Sequence, residues 1–173
     1  MSQKIQRPKG TADVTVSDVY RWHYAENLLR ECARLFGYRE TRFPVFEHTE
    51  LFIRGVGGTT DVVQKEMYCI QDSKGRSMSL RPEATAGVMR AYIENGVHAR
   101  EAVSKFFTIG PMFRHERPQK GRMRQFHQIN CECLGSHSPF ADAELISMLL
   151  GFLDKLGLKD VVLHINSLGC AAC

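Results

Sequence analysis

Residues 105–134 constrain the fold most: they read as a strand, a basic loop and a second strand. Successive side chains of an extended chain point to opposite sides. In the second strand this places Phe126, Gln128, Asn130 and Glu132 on one face, and Gln125, His127, Ile129, Cys131 and Cys133 on the other. In the first, Met112, Arg114 and Glu116 share a face, opposite Ile109, Pro111 and Phe113. Folded as a hairpin, the two polar faces line one pocket with an aromatic ring, an amide, carboxylates and a guanidinium. The loop, Arg117-Pro118-Gln119-Lys120-Gly121-Arg122-Met123-Arg124, carries four cations in eight residues. Guanidinium forks match phosphate oxygens, so the hairpin suits a nucleoside triphosphate and an amine-bearing substrate. On charge alone, a solvated basic turn is the plainer reading.

The remaining elements follow from periodicity. Apolar residues at Val19, Trp22, Ala25, Leu28, Leu29, Cys32, Leu35 and Phe36 predict a helix over 17–36, with Ser17 as N-cap and Gly37 as its stop. An extended segment over 38–43 ends at Pro44, a short helix covers 49–54, and a glycine-rich loop spans 55–60. Strands at 66–71 and 77–80 flank a turn at 72–76. Pro82 and Glu83 open a helix to Glu94, closed by Asn95-Gly96; a last helix covers 140–156 and a final strand 161–165. Strands grouped between helices predict an α+β fold, an antiparallel β-sheet flanked by helices on one side.

A chain of 173 residues supports one ordinary domain. No apolar run reaches the roughly 18 residues of a spanning helix, and Met1-Ser2-Gln3-Lys4-Ile5 has no apolar signal core. The expected address is the cytoplasm, with no membrane partner. A formal net charge of +4 favours anionic partners only weakly. The six cysteines then read as reduced thiols, with Cys131 and Cys133 packing the core. Cys170 and Cys173 form a CxxC without the two further ligands of a zinc site, and no polybasic stretch supports the prenylation box they formally complete. No metal site is expected.

A second candidate is Leu80-Arg81-Pro82-Glu83-Ala84-Thr85-Ala86-Gly87. Read alone, Glu83 caps the N–H groups of a helix start. The functional alternative has Glu83 and Thr85 gripping a charged amine.

Together these residues resemble the class II aminoacyl-tRNA synthetases, specifically the histidyl-tRNA synthetases. Residues 110–122, Gly110-Pro111-Met112-Phe113-Arg114-His115-Glu116 onward, followed by Arg124-Gln125-Phe126-His127-Gln128, are similar to that family's motif 2 almost letter for letter. Residues 80–87 resemble its LRPEGTAG segment, and 37–46 its motif 1, which helps build a dimer interface. Thr60-Asp61-Val62-Val63 and Lys65-Glu66-Met67-Tyr68 are also similar. The resemblance implies a single partial catalytic domain over 1–173, with motif 3 and the anticodon-binding domain absent. It implies that Arg114 is catalytic, holding the α-phosphate of ATP. Glu116 and Arg122 contact ATP, and Phe126 stacks on adenine. Glu83, Thr85, Gln128 and Glu132 hold histidine. Histidine and ATP give histidyl-adenylate, with magnesium on the phosphates, before transfer to tRNA(His) by a homodimer. Ala84 stands where the family shows glycine, which puts the backbone there in question. Two alternatives remain: a non-catalytic sensor of histidine or ATP, and a nucleic-acid module using the basic loop, though no aromatic residues interleave its cations.

Overall fold

The computed structural model describes residues 4–57, 60 and 65–166. Parts of the 55–60 loop and of the 60–63 match, and Cys170 and Cys173, lie outside the described residues. Helix α1 (Val19–Leu35) opens at Asp18 rather than Ser17, without a side-chain cap. It ends as expected. Gly37, at φ +77, donates its N–H to the Arg34 carbonyl at 3.1 Å, and Tyr38 donates to Ala33 at 2.8 Å, the paired closure that a left-handed glycine permits.

The long hairpin pairs β5 (Ser104–Phe113) with β6 (Gln125–Leu134) along ten residues each, with Gly110 opposite Gln128 and Met112 opposite Phe126. Short β1 (Arg39–Glu40) joins the other edge of β5 in parallel, so the sheet order is β1-β5-β6. The expected antiparallel sheet therefore carries one parallel pair, because the chain reaches β1 directly from the helix packed on the sheet.

A second antiparallel sheet, order β2-β4-β3, is built from β2 (Phe46–His48), β3 (Cys69–Gln71) and β4 (Ser77–Leu80). Strand β2 follows Pro44 and was not expected. Strand β3 is half the predicted length, since residues 65 and 66 are helical. The Glu66 carbonyl instead accepts the His115 N–H at 2.7 Å. The turn closes as read: the Asp72 carboxylate accepts the N–H groups of Lys74 and Arg76, each at 2.9 Å. Beneath this sheet, Thr49 at the start of α2 (Thr49–Val56) shares hydrogen bonds with the hydroxyls of Ser77 and Ser79.

One face of the first sheet packs on α1 and α4 (Pro139–Lys155) through Leu29, Cys32, Ala33, Tyr38, Phe107, Met148 and Phe152, with Cys131 against them. Burial pushes the Cys131 thiol up to about 11, consistent with the packing role expected of it. The other face meets α3 (Thr85–Glu94) through Phe43, Ala84, Val88 and Met112. The expected strand over 161–165 is not formed. Its residues form no strand pairing among the described residues, and Val162 and Ile165 are exposed. A strand needs a partner for its N–H and C=O groups, and apolar alternation cannot supply one.

Candidate active site

The pairing of Met112 with Phe126 confirms that the two predicted faces coincide. It also divides them. Met112 is fully buried beneath α3 and belongs to the core, whereas Phe126, Gln128, Asn130 and Glu132 remain partly accessible on β6. Arg114 and Glu116 lie just past the end of β5, where the chain leaves strict alternation, although the Arg114 N–H still donates to the Arg124 carbonyl at 2.9 Å.

Three contacts fix Arg114. Its Nε donates to the Pro82 carbonyl at 2.9 Å, its guanidinium carbon sits 5.2 Å from the Phe126 ring centre, and it lies 3.8 Å from the Glu116 carboxylate. The proline-led turn before α3 thus aims the hairpin's arginine, joining two segments 32 residues apart. Glu116 lies between two guanidinium groups, since Arg122 approaches its other oxygen at 3.6 Å. That distance is too long for a hydrogen bond, and Glu116 Oε2 is buried without a hydrogen-bond partner. Gln128 Oε1 is buried and without a partner too. Further along the same face, the Asn130 amide donates to Glu132 at 3.0 Å.

Glu83 does what its position predicts for a cap. Its two oxygens accept the N–H groups of Thr85 at 2.6 Å and Ala86 at 2.9 Å. Helix α3 begins at Thr85, three residues after Pro82, because Glu83 caps it from outside. Ala84 has φ −98° and is fully buried, so no left-handed glycine is needed there and its methyl fills the core beside Val88 and Met112. Glu83 and the exposed Thr85 line a cavity of about 830 Å³ between α2 and α3, with Leu51, Met89 and Arg90. Gln128 and Glu132 do not line it. Of the four residues expected to hold histidine, Glu83 and Thr85 line this cavity, and Gln128 and Glu132 lie along the polar face of β6.

Arg81 carries weight that sequence reading missed. The residue is 5% exposed, and its guanidinium donates to the carbonyls of Pro111 and Phe43, each at 2.9 Å, and lies 4.6 Å from the Phe43 ring centre. Burial without an acid partner lowers its pKa, yet arginine stays charged. Gly110 leaves room for it: a Cβ there would meet the guanidinium at 2.4 Å. The one signal in the sequence was an arginine held between Leu80 and Pro82.

A mixed sheet built around a long hairpin, its polar face guarded by an arginine and flanked by a capped helix, defines a class II aminoacyl-tRNA synthetase-like catalytic fold. Solved structures share it. Apo histidyl-tRNA synthetase of S. aureus matches with a TM-score of 0.75 and 37% identity, over 90% of this chain and 36% of that one. A protein of Bacillus halodurans, described as an ATP phosphoribosyltransferase regulatory subunit/histidyl-tRNA synthetase, matches in fold alone, with a TM-score of 0.77 and 21% identity over 92% of this chain and 40% of its own. The family profile described as histidyl-tRNA synthetase covers residues 10–171. Histidine–tRNA ligases of Oleidesulfovibrio alaskensis and Moorella thermoacetica are 59% identical over 169 residues and 55% identical over 167, covering 98% and 96% of this chain. The chain belongs to the histidyl-tRNA synthetase family. It spans 40% of the length of these two relatives.

Proposed function

We propose that residues 1–173 form one partial catalytic domain of a histidine–tRNA ligase, which binds ATP and histidine and forms histidyl-adenylate weakly by itself. The supporting observation is the buried, partnerless Gln128 Oε1, two residues along β6 from the Phe126–Arg114 stack and on the same face. A buried acceptor without a donor is costly unless a ligand satisfies it, and the α-ammonium of histidine offers three donors.

In this reading a histidine carboxylate oxygen attacks the α-phosphorus of ATP, the bond to the β-phosphate oxygen breaks, and pyrophosphate leaves. Arg114 neutralises charge on the reacting phosphate, and its Pro82 tether spares reorganisation in the transition state. Glu116 and Arg122 flank the nucleotide. Phe126 offers adenine a ring face, and Arg114 now lies over that ring, so the nucleotide must displace the guanidinium or take the opposite side. Glu132 and Glu83 face the ammonium, and Thr85 adds a hydroxyl. The described residues hold no group of three or more His, Cys, Asp or Glu side chains placed to take a metal, and Glu116 already lies between two cations. Magnesium would come with ATP and neutralise charge on its phosphates. Transfer to tRNA(His), and pairing of two copies through residues 37–46, belong to the same proposal. No helix among the described residues is long and apolar enough to cross a membrane.

Histidine-dependent ATP–pyrophosphate exchange tests this. Exchange above background, lost in Arg114→Ala, supports activation by this chain. Histidine or ATP binding without exchange leaves a non-catalytic sensor. Neither binding nor exchange refutes the proposal.

A further inference from the structure

A fork at the β1 edge of β5 holds an uncompensated positive charge. Strand β1 pairs with β5 as far as Glu40 with Phe107, and Thr41 then donates its N–H to the Phe107 carbonyl at 2.8 Å. Past Thr41 the two segments splay. Arg81 spans the gap, donating from Nε to the Pro111 carbonyl and from Nη1 to the Phe43 carbonyl. Its remaining nitrogen, Nη2, lies against Gly110 and donates to no group among the described residues. Phe107 and Pro111 turn their carbonyls to this edge, so the two-residue period of the strand turns the Ile109 N–H the same way. No carbonyl among the described residues accepts it across the fork.

These donors border a cavity of about 280 Å³, lined in part by Arg42, Phe43, Arg81, Ile109, Gly110 and His127. Its charges do not cancel. Arg30 is paired with Glu26 at 3.2 Å and Glu40 at 3.1 Å, and Arg42 with Glu40 at 2.7 Å. With Arg81, three guanidinium groups face two carboxylates, which leaves one positive charge. Arg81 is 5% exposed, and a guanidinium does not shed its proton to escape burial. A buried charge without a counter-ion is costly, and a ligand that brings one negative charge removes that cost. A second cavity of about 210 Å³ shares Glu26, Ile109 and His127 with the first and adds the apolar groups of Trp22, Ala25 and Ile129. Trp22 meets His127 edge-on, with ring centres 4.5 Å apart. His127 and Ile129 point away from Phe126 and Gln128 along β6, so this is not the hairpin pocket.

We propose that the fork binds a small organic monoanion, a carboxylate carrying a compact apolar or aromatic group, held by Arg81 Nη2 and the Ile109 N–H with its apolar group toward Trp22. A guanidinium nitrogen and a strand N–H on one cavity suit the two oxygens of a carboxylate. Arg42 and Phe43 belong to the segment proposed above for pairing two copies, which makes a carboxylate of a second copy the rival occupant. The burial of Arg81 favours a small free acid, which enters a confined fork more readily than a tethered side chain. The proposal stands apart from the ligase reading.

The test uses the 173-residue chain and para-fluorobenzoate, with para-fluorobenzyl alcohol as its neutral counterpart. Binding is read by fluorine NMR and by the emission of Trp22, the sole tryptophan. The acid should bind saturably and change Trp22 emission, and the alcohol should bind roughly tenfold more weakly. Arg81→Lys, which keeps the charge and loses Nη2, should weaken the acid roughly tenfold or more, with thermal unfolding to confirm the fold. Should that variant unfold, Arg42→Gln carries the test. Its side chain is 76% exposed, so folding is preserved, and it should weaken the acid about two- to fivefold. Absence of saturable binding, equal binding of acid and alcohol, or wild-type affinity in Arg42→Gln and folded Arg81→Lys would overturn the site. Displacement of the acid by histidine or ATP would overturn it by moving the probe to the hairpin. Loss of acid binding as the chain associates would overturn it by giving the fork to a second copy.

Discussion

Replacing Glu83 separates two jobs that its carboxylate can hold at once. Its oxygens accept the N–H groups of Thr85 at 2.6 Å and Ala86 at 2.9 Å. An ionised carboxylate has about four acceptor sites, so two remain for a ligand's ammonium. Glu83→Ala removes both cap bonds and the charge at the helix start, which costs about 1–2 kcal/mol. In a chain of this size that lowers the melting temperature by about 2–8 °C. Glu83→Gln keeps one oxygen and turns an N–H donor toward another, so it costs about 1 kcal/mol. If Glu83 also holds histidine, the glutamine variant loses a charge-assisted hydrogen bond of about 1.5–3 kcal/mol, or roughly 10- to 150-fold in the histidine Kd. Calorimetric titration with histidine and thermal unfolding read the two effects separately. Lower melting with an unchanged histidine Kd in Glu83→Gln would show that Glu83 is a cap alone. An unchanged melting temperature in Glu83→Ala would refute the cap.

Ala84→Gly should destabilise by about 1–2 kcal/mol in urea titration, because the backbone at φ −98° asks nothing of glycine and the lost methyl is fully buried; a gain in stability would refute this. Arg81→Met strands the carbonyls of Pro111 and Phe43, and should lower stability by about 2–4 kcal/mol. A urea midpoint equal to wild type would mean water replaces both bonds. Cys131, with its pKa pushed up to about 11 by burial, keeps its proton in the folded state at pH values where the unfolded thiol, near 9, has lost it. Its contribution is full below pH 9 and is lost as pH rises toward 11, at a slope of up to about 1.4 kcal/mol per unit. Cys131→Ala should flatten that segment of the stability–pH curve, and an unaltered slope would assign it to other groups.

Much of the site could be read directly. Alternation within 125–134 named the side chains of one sheet face, and the pairing of Met112 with Phe126 placed Arg114 beside them. Period and cap residues located the helices to within a few positions, because backbone hydrogen bonding inside a helix is local. Where partners lie far along the chain, the reading failed. Residues 161–165 carry a strand's apolar pattern and form no strand pairing among the described residues, and β1 proved parallel to a strand more than 60 residues away.

The residue types of the candidate site, its charge and its two hairpin faces followed from local order along the chain, since neighbours in sequence are neighbours on a strand or a helix turn. Only the folded chain decided that Pro82 aims Arg114, that Arg81 is buried among carbonyls, that segment 4–13 lies on the loop at Gly10, and that Glu83 caps α3. Each depends on segments brought together by core packing, and the free energy that selects those contacts belongs to the whole fold rather than to any stretch of it.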